Sequence, residues 1–216
     1  MTGVLVPAGD VRLAGDLGGP ADARGVIVFA HGSGSGRHSP RNREVAAALN
    51  AQGYGTLLFD LLTAEEERED RATARLRFDV PLLAGRLTRV VAWVRSEESS
   101  VSGRPVGLFG ASTGAAAALV AAAASPDDVG AVVSRGGRPD LAAEALGSVT
   151  APTLLIVGGR DLDVLTLNER ALARMDAGAG HRLTVVPCAG HLFEEPGALR
   201  EVTQRSLEWF GANLQK

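Results

Sequence analysis

Ser112 stands in Gly110-Ala111-Ser112-Thr113-Gly114, after the apolar run 105–109 and before the alanine-rich run 115–124. A serine on such a strand-to-helix turn forms a nucleophile elbow: the turn holds its backbone in a strained conformation and lifts the hydroxyl clear of the sheet. The residues two before and two after must then lack side chains, which accounts for Gly110 and Gly114. A serine hydroxyl is a poor nucleophile until a base removes its proton, so the pattern calls for a histidine. Of the four histidines, His191 leaves the run Val185-Val186-Pro187-Cys188-Ala189-Gly190 on a loop free to reach across a sheet edge. His181 begins that run at the opposite end. His31 and His38 flank a glycine loop, where His31 is read as a brace rather than a base.

The elements that must position these residues alternate along the chain. Residues 4–6 and 11–17 flank the turn-rich spacer Pro7-Ala8-Gly9-Asp10 and predict an antiparallel hairpin at a sheet edge. Residues 26–30, 55–59, 105–109, 129–134, 153–157 and 183–186 read as buried strands of a mainly parallel sheet. Helical spacing appears at 40–52, 82–94, 115–124, 141–146, 165–175 and 198–214. The charge-dense stretch 65–77 reads as a solvated helix or a mobile excursion without chemistry. This order predicts one α/β domain over residues 1–216, helices on both faces of the sheet and no cap domain.

In an open α/β sheet, ligand chemistry gathers outside the carboxyl ends of the strands. The residues just after the strands are His31-Gly32-Ser33-Gly34, Asp60, Ser112, Ser134-Arg135-Gly136-Gly137, Asp161 and His191. A nucleophile, an acid and a base therefore fall on one edge in the order Ser, Asp, His, the chain order of an α/β-hydrolase triad. The acid is Asp161 or Asp163, with Asp60 a third candidate disfavoured by chain order. Asp161 lies closer to the strand end, which leaves Asp163 as a solvated neighbour or helix N-cap. An oxyanion hole needs two backbone donors. One is the amide of Thr113; the other comes from the glycine loop, Ser33 first and Gly34 second. Arg135 either reads a substrate carboxylate or makes a structural hydrogen bond to nearby carbonyls or Asp60.

On these residues the chain resembles the α/β-hydrolase superfamily over essentially its whole length, and its capless form is similar to the dienelactone hydrolase-like branch. The resemblance rests on His31-Gly32-Ser33-Gly34, the elbow at Ser112, Gly158-Gly159-Arg160-Asp161 and Gly190-His191. It implies a Ser112-His191-Asp161 triad, with Asp161 at the family spacing. Dienelactone hydrolase itself uses a cysteine nucleophile, so the serine here supports the fold and triad but not the dienelactone substrate. The implied activity is hydrolysis of small esters, lactones or thioesters through an acyl-enzyme, without cofactor or metal. The alternatives are a peptidase or perhydrolase with the same triad, or a binding protein on the same fold.

Composition narrows the partners. The formal charge of −3 argues against a nucleic-acid footprint, which needs a clustered basic face. The glycine loop 32–37 lacks both the Gly-Lys-Ser/Thr ending of a P-loop and the final glycine of G-x-G-x-x-G. A single cysteine, Cys188, excludes an intrachain disulfide. The N-terminus has neither a basic leader nor a long apolar core, and no apolar run is long enough to span a membrane. The expectation is a soluble, cytoplasmic protein with a small-molecule partner.

Overall fold

The computed structural model describes residues 1–96 and 99–214. Eight strands form one sheet: β1 (Thr2–Ala8), β2 (Val11–Gly18), β3 (Val26–Ala30), β4 (Gly55–Phe59), β5 (Val106–Ala111), β6 (Val129–Arg135), β7 (Thr153–Gly158) and β8 (Arg182–Val186). Their order is β1-β2-β4-β3-β5-β6-β7-β8. The β1–β2 hairpin and the β2–β4 pair are antiparallel; every other pair is parallel. The strand that ends at the nucleophile, β5, is thus flanked by β3 and β6. Reversal of strand order around β3 opens the crevice in which such sheets bind ligands.

The helices are α1 (Pro40–Ala51), α2 (Ala64–Thr73), α3 (Val80–Arg95), α4 (Thr113–Ala124), α5 (Leu162–Leu172) and α6 (Ala198–Asn213). Alternate residues of the central strands serve opposite faces. Val26, Val28 and Ala30 join a core with α3 and α4, whereas Ile27 and Phe29 join one with α1 and α6. In α4, Ala115 to Ala118, Leu119, Ala121 and Ala122 are all fully buried. Small side chains around the whole helix let it lie close to the sheet on one side and to α3 on the other.

Two expectations change. Residues 141–146 do not form a helix; two 3-10 turns, Pro139–Ala142 and Leu146–Ser148, bury Ala142 and Leu146 instead. Gly147, which is costly in a helix interior, follows directly. The stretch 65–77 is ordered rather than an excursion. Thr63 and Glu66 form a capping box at the start of α2, Asp70 is buried against Arg77, and Arg86 from α3 reaches Glu66 and the carbonyl of Leu61. That strut fixes the connection from β4 into α2. No helix among the described residues is long and apolar enough to cross a membrane.

The packing of α4 generates a stability prediction. Ala117→Leu adds volume where nothing is vacant and lowers stability by about 1–3 kcal/mol. Ala47→Leu on the exposed face of α1 leaves it within about 0.5 kcal/mol. Thermal melting of the two variants checks this, and equal melting temperatures would contradict the close packing of α4.

Candidate active site

Ser112 occupies φ 51°, ψ −120°, a conformation that a non-glycine residue adopts only under strain. The surroundings over-determine it. A Cβ at Gly110 would lie 2.4 Å from Ala115 Cα, and one at Gly114 would lie 2.3 Å from the carbonyl oxygens of Ala30 and His31. Both glycines are therefore required by backbone contact, as the elbow pattern predicts. The Ser112 amide donates to the Arg135 carbonyl at 3.2 Å, so β6 holds the elbow from the other side.

His191 and Asp161 meet. Asp161 Oδ2 lies 2.7 Å from His191 Nδ1, with the carboxylate more shielded than the imidazole. Asp161 is also the N-cap residue of α5, yet its side chain makes no capping bond. The carboxylate that would normally satisfy a helix N-terminus is turned toward the imidazole. That orientation leaves Nε2 as the ring nitrogen available to a substrate or a hydroxyl. Asp163, expected as the possible cap, lies instead in the first turn and is exposed. Asp60 is engaged elsewhere: it accepts from the Arg37 amide at 2.8 Å and pairs with the Arg37 guanidinium. Of the three candidate acids, only Asp161 contacts His191.

Ser112 and His191 line one cavity of about 230 Å³ with Gly32, Ser33, Arg41 and Arg135. Among the described residues no hydrogen bond joins the Ser112 hydroxyl to His191; such contacts are often long before substrate binds. The glycine loop and the elbow are brought together, but with an unforeseen bond. The Ser33 amide donates to Thr113 Oγ1 at 2.9 Å. His31 braces the same loop as expected. Its Nε2 accepts from the Leu61 amide at 3.0 Å, so Nδ1 carries the proton and donates to the Gly32 carbonyl at 3.0 Å. Burial lowers the pKa of His31 below its usual value, against smaller opposing effects of Gly32 and Asp60, and keeps this tautomer neutral at pH 7.

Four supporting residues escaped the sequence reading. Asn168 of α5 donates to the Gly137 carbonyl at 3.0 Å and pins the turn after β6. Glu195 accepts from the Gly190 amide at 2.9 Å and orders the His191 loop. Arg41 and Asn42 reach the cavity from the first turn of α1. For these two a signal existed: the helix that follows the glycine loop must begin at the same sheet edge. Cys188 is exposed, with φ 60°. No group of three or more His, Cys, Asp and Glu among the described residues could hold a metal ion.

The family described as the dienelactone hydrolase family matches residues 13–213 of this chain. A crystal structure of dienelactone hydrolase from Anabaena variabilis is 54% identical and superposes with a TM-score of 0.96, covering 99% of this chain and 98% of that one. Est1E from Butyrivibrio proteoclasticus, solved with ferulic acid, shares the fold at 14% identity and a TM-score of 0.78, covering 96% of this chain and 99% of that one. Two curated Mycobacterium tuberculosis proteins, from strains CDC 1551 / Oshkosh and H37Rv, are 59% identical over 207 residues and are provisionally named phosphoribosyl transferases. The match covers 96% of this chain but 45% of each of theirs, so the chain spans about half the length of these relatives.

The Ser33–Thr113 bond generates a prediction. Thr113→Ser keeps the hydroxyl and holds ester turnover within about threefold, whereas Thr113→Val frees the loop and lowers kcat about tenfold, the worth of one hydrogen bond. Steady-state kinetics on p-nitrophenyl acetate reads both. A Val variant faster than the parent would make the hydroxyl a competitor for the Ser33 amide instead of a tether.

Proposed function

Because the chain belongs to the dienelactone hydrolase family, we propose that it is a serine hydrolase, one domain over residues 1–216, that cleaves small carboxylic esters, lactones or thioesters. Ser112 Oγ forms a bond to the acyl carbon while its proton passes to His191 Nε2. The carbonyl electrons move onto oxygen, where the amides of Thr113 and Ser33 receive the charge. Collapse of that intermediate breaks the bond to the leaving oxygen or sulfur, which takes the proton from His191. Water then attacks the acyl-enzyme by the same route, with His191 again as base. Asp161 orients the imidazole and stabilises the imidazolium.

The observation that carries this reading is the Asp161–His191 hydrogen bond of 2.7 Å at the mouth of the cavity that holds a positive-φ serine. The Thr113 hydroxyl sits where it helps. A developing oxyanion is a stronger acceptor than a neutral hydroxyl, so it competes successfully for the Ser33 amide. Thr113 Oγ–H can then turn and donate to the same oxygen. Two small cavities flank loop 32–35, about 230 Å³ with Ser112 and about 330 Å³ beside Leu61, Leu62 and Leu83, and this favours compact substrates.

The transferase name of the mycobacterial relatives is accommodated by length. The hydrolase family accounts for residues 13–213 here, and more than half of those proteins lies outside the match. We attach phosphoribosyl transfer to that remaining part. The glycine loop of this chain supports the same assignment, since it carries neither phosphate-loop pattern.

Kinetics of the acid variants test the proposal. Asp161→Asn lowers kcat/KM on p-nitrophenyl acetate by about three to four orders of magnitude, because the imidazole loses its orienting anion. Asp163→Asn and Asp60→Asn each keep activity within about tenfold. Comparable losses in Asp161→Asn and Asp163→Asn would remove Asp161 from the triad.

A further inference from the structure

The guanidinium of Arg135 lies beside the proposed nucleophile without a counter-charge. The residue is 7% exposed, its Nε is buried without a hydrogen-bond partner, and no ion pair or hydrogen bond among the described residues involves its guanidinium. Neither structural role expected from sequence is therefore filled: Asp60 pairs with Arg37, and no carbonyl accepts from Arg135. Burial, with a smaller contribution from nearby Arg41, lowers its pKa to about 10, so it is still a cation at neutral pH. A buried charge left unpaired costs several kcal/mol, and such an arrangement calls for an anion supplied from outside.

The cavity points the same way. Arg41 also lines it; its Nε is buried without a partner while Nη1 turns outward to Glu194 at 3.0 Å. No carboxylate lines this cavity. Across loop 32–35 the second cavity holds Asp60, Glu67 and Asp70 together with Arg71 and Arg77. One side of the oxyanion loop thus presents two cations without a facing acid, and the other presents mixed charge with three leucines.

Position relative to the reaction decides which part of a substrate meets Arg135. It pairs with Ala111 in the β5–β6 register, and its carbonyl accepts from the Ser112 amide. The following residue touches the base: a Cβ at Gly136 would lie 3.6 Å from His191 Cε1. The leaving atom must face His191 to take its proton, so the leaving group occupies the Arg135 side. We propose that Arg135 is a specificity-determining residue that binds a carboxylate carried on the leaving group, so that the enzyme releases small hydroxy or thiol acids. This rests on the serine hydrolase reading above. The planar guanidinium binds a carboxylate through two parallel hydrogen bonds. Neighbouring strands lie about 4.8 Å apart, so only a few bonds separate that carboxylate from the scissile oxygen. The cavity of about 230 Å³ suits a leaving group of that size.

Two matched ester pairs test this. The first compares 3-carboxyphenyl acetate with its uncharged counterpart 3-carbamoylphenyl acetate; the second moves the charge to the acyl side, monophenyl succinate against phenyl succinamate. The expected kcat/KM ratio is about ten- to a hundredfold for the first pair, the worth of a charged hydrogen-bonded contact, and close to one for the second. In Arg135→Met the first ratio falls to near one, and in Arg135→Lys it is intermediate. A first ratio near one in the parent enzyme, a ratio that survives Arg135→Met, or an equal preference in the acyl-side pair would overturn the inference. Calorimetric binding of 3-hydroxybenzoate against 3-hydroxybenzamide to the intact parent protein reads the same subsite without turnover or mutation. Acid-selective binding supports the subsite and equal binding sinks it. Absence of hydrolysis of all four esters would count against the serine hydrolase reading, while this binding result still decides the subsite.

Discussion

No side chain fits between Gly114 and the carbonyls of Ala30 and His31, and the geometry of the site follows from that contact. It presses the first turn of α4 onto the end of β3, which places the loop 31–34 against the elbow. Ser112 is held at positive φ within this contact, at a strain of about 1–3 kcal/mol. The strain is offset by the surroundings: an alanine helix buried on every side, Gly110 under Ala115, and a hydrogen bond from the Ser112 amide to β6. A rigid parallel sheet carries the other participants to the same edge, so no mobile segment is needed to assemble them.

Charge around this edge is sorted by pairing. Asp60 faces Arg37, Asp70 faces Arg77 and Glu66 faces Arg86, and each pair fixes a segment of the wall. Asp161 breaks the pattern of local helix chemistry by leaving its cap unsatisfied in favour of His191. Arg135 breaks it again by having no acid at all. Departures from local rules of this kind concentrate where a protein binds or reacts, because there the partner comes from outside the chain. Every structural acid has its cation, which leaves Asp161 and Arg135 as the two groups oriented toward chemistry.

Much of this was legible in the sequence. The hairpin, the buried strands and the strand-end residues follow from hydrophobic runs bounded by glycine, and the dienelactone hydrolase family matches nearly the whole chain. Within the site, the need for Gly110 and Gly114 was readable because backbone collision depends only on local geometry. The choice between Asp161 and Asp163 was not, since two residues of register at a helix start leave the same residue type in both places. The Ser33–Thr113 bond and the absence of a partner for Arg135 were equally hidden. Both depend on side-chain directions that join segments 80 residues apart in one case and on what fails to arrive in the other. The 3-10 turns replacing a helix at 141–146 show that a short apolar spacing is satisfied by more than one backbone path.

The central claim is that Ser112 is a nucleophile activated by His191. Covalent labelling of the intact protein with a fluorophosphonate, followed by peptide mass spectrometry, tests it most directly. The account predicts a single adduct on Ser112, formed in the parent protein, much slower in His191→Ala and absent in Ser112→Ala. An adduct on another serine, or none on a folded parent protein, would contradict it.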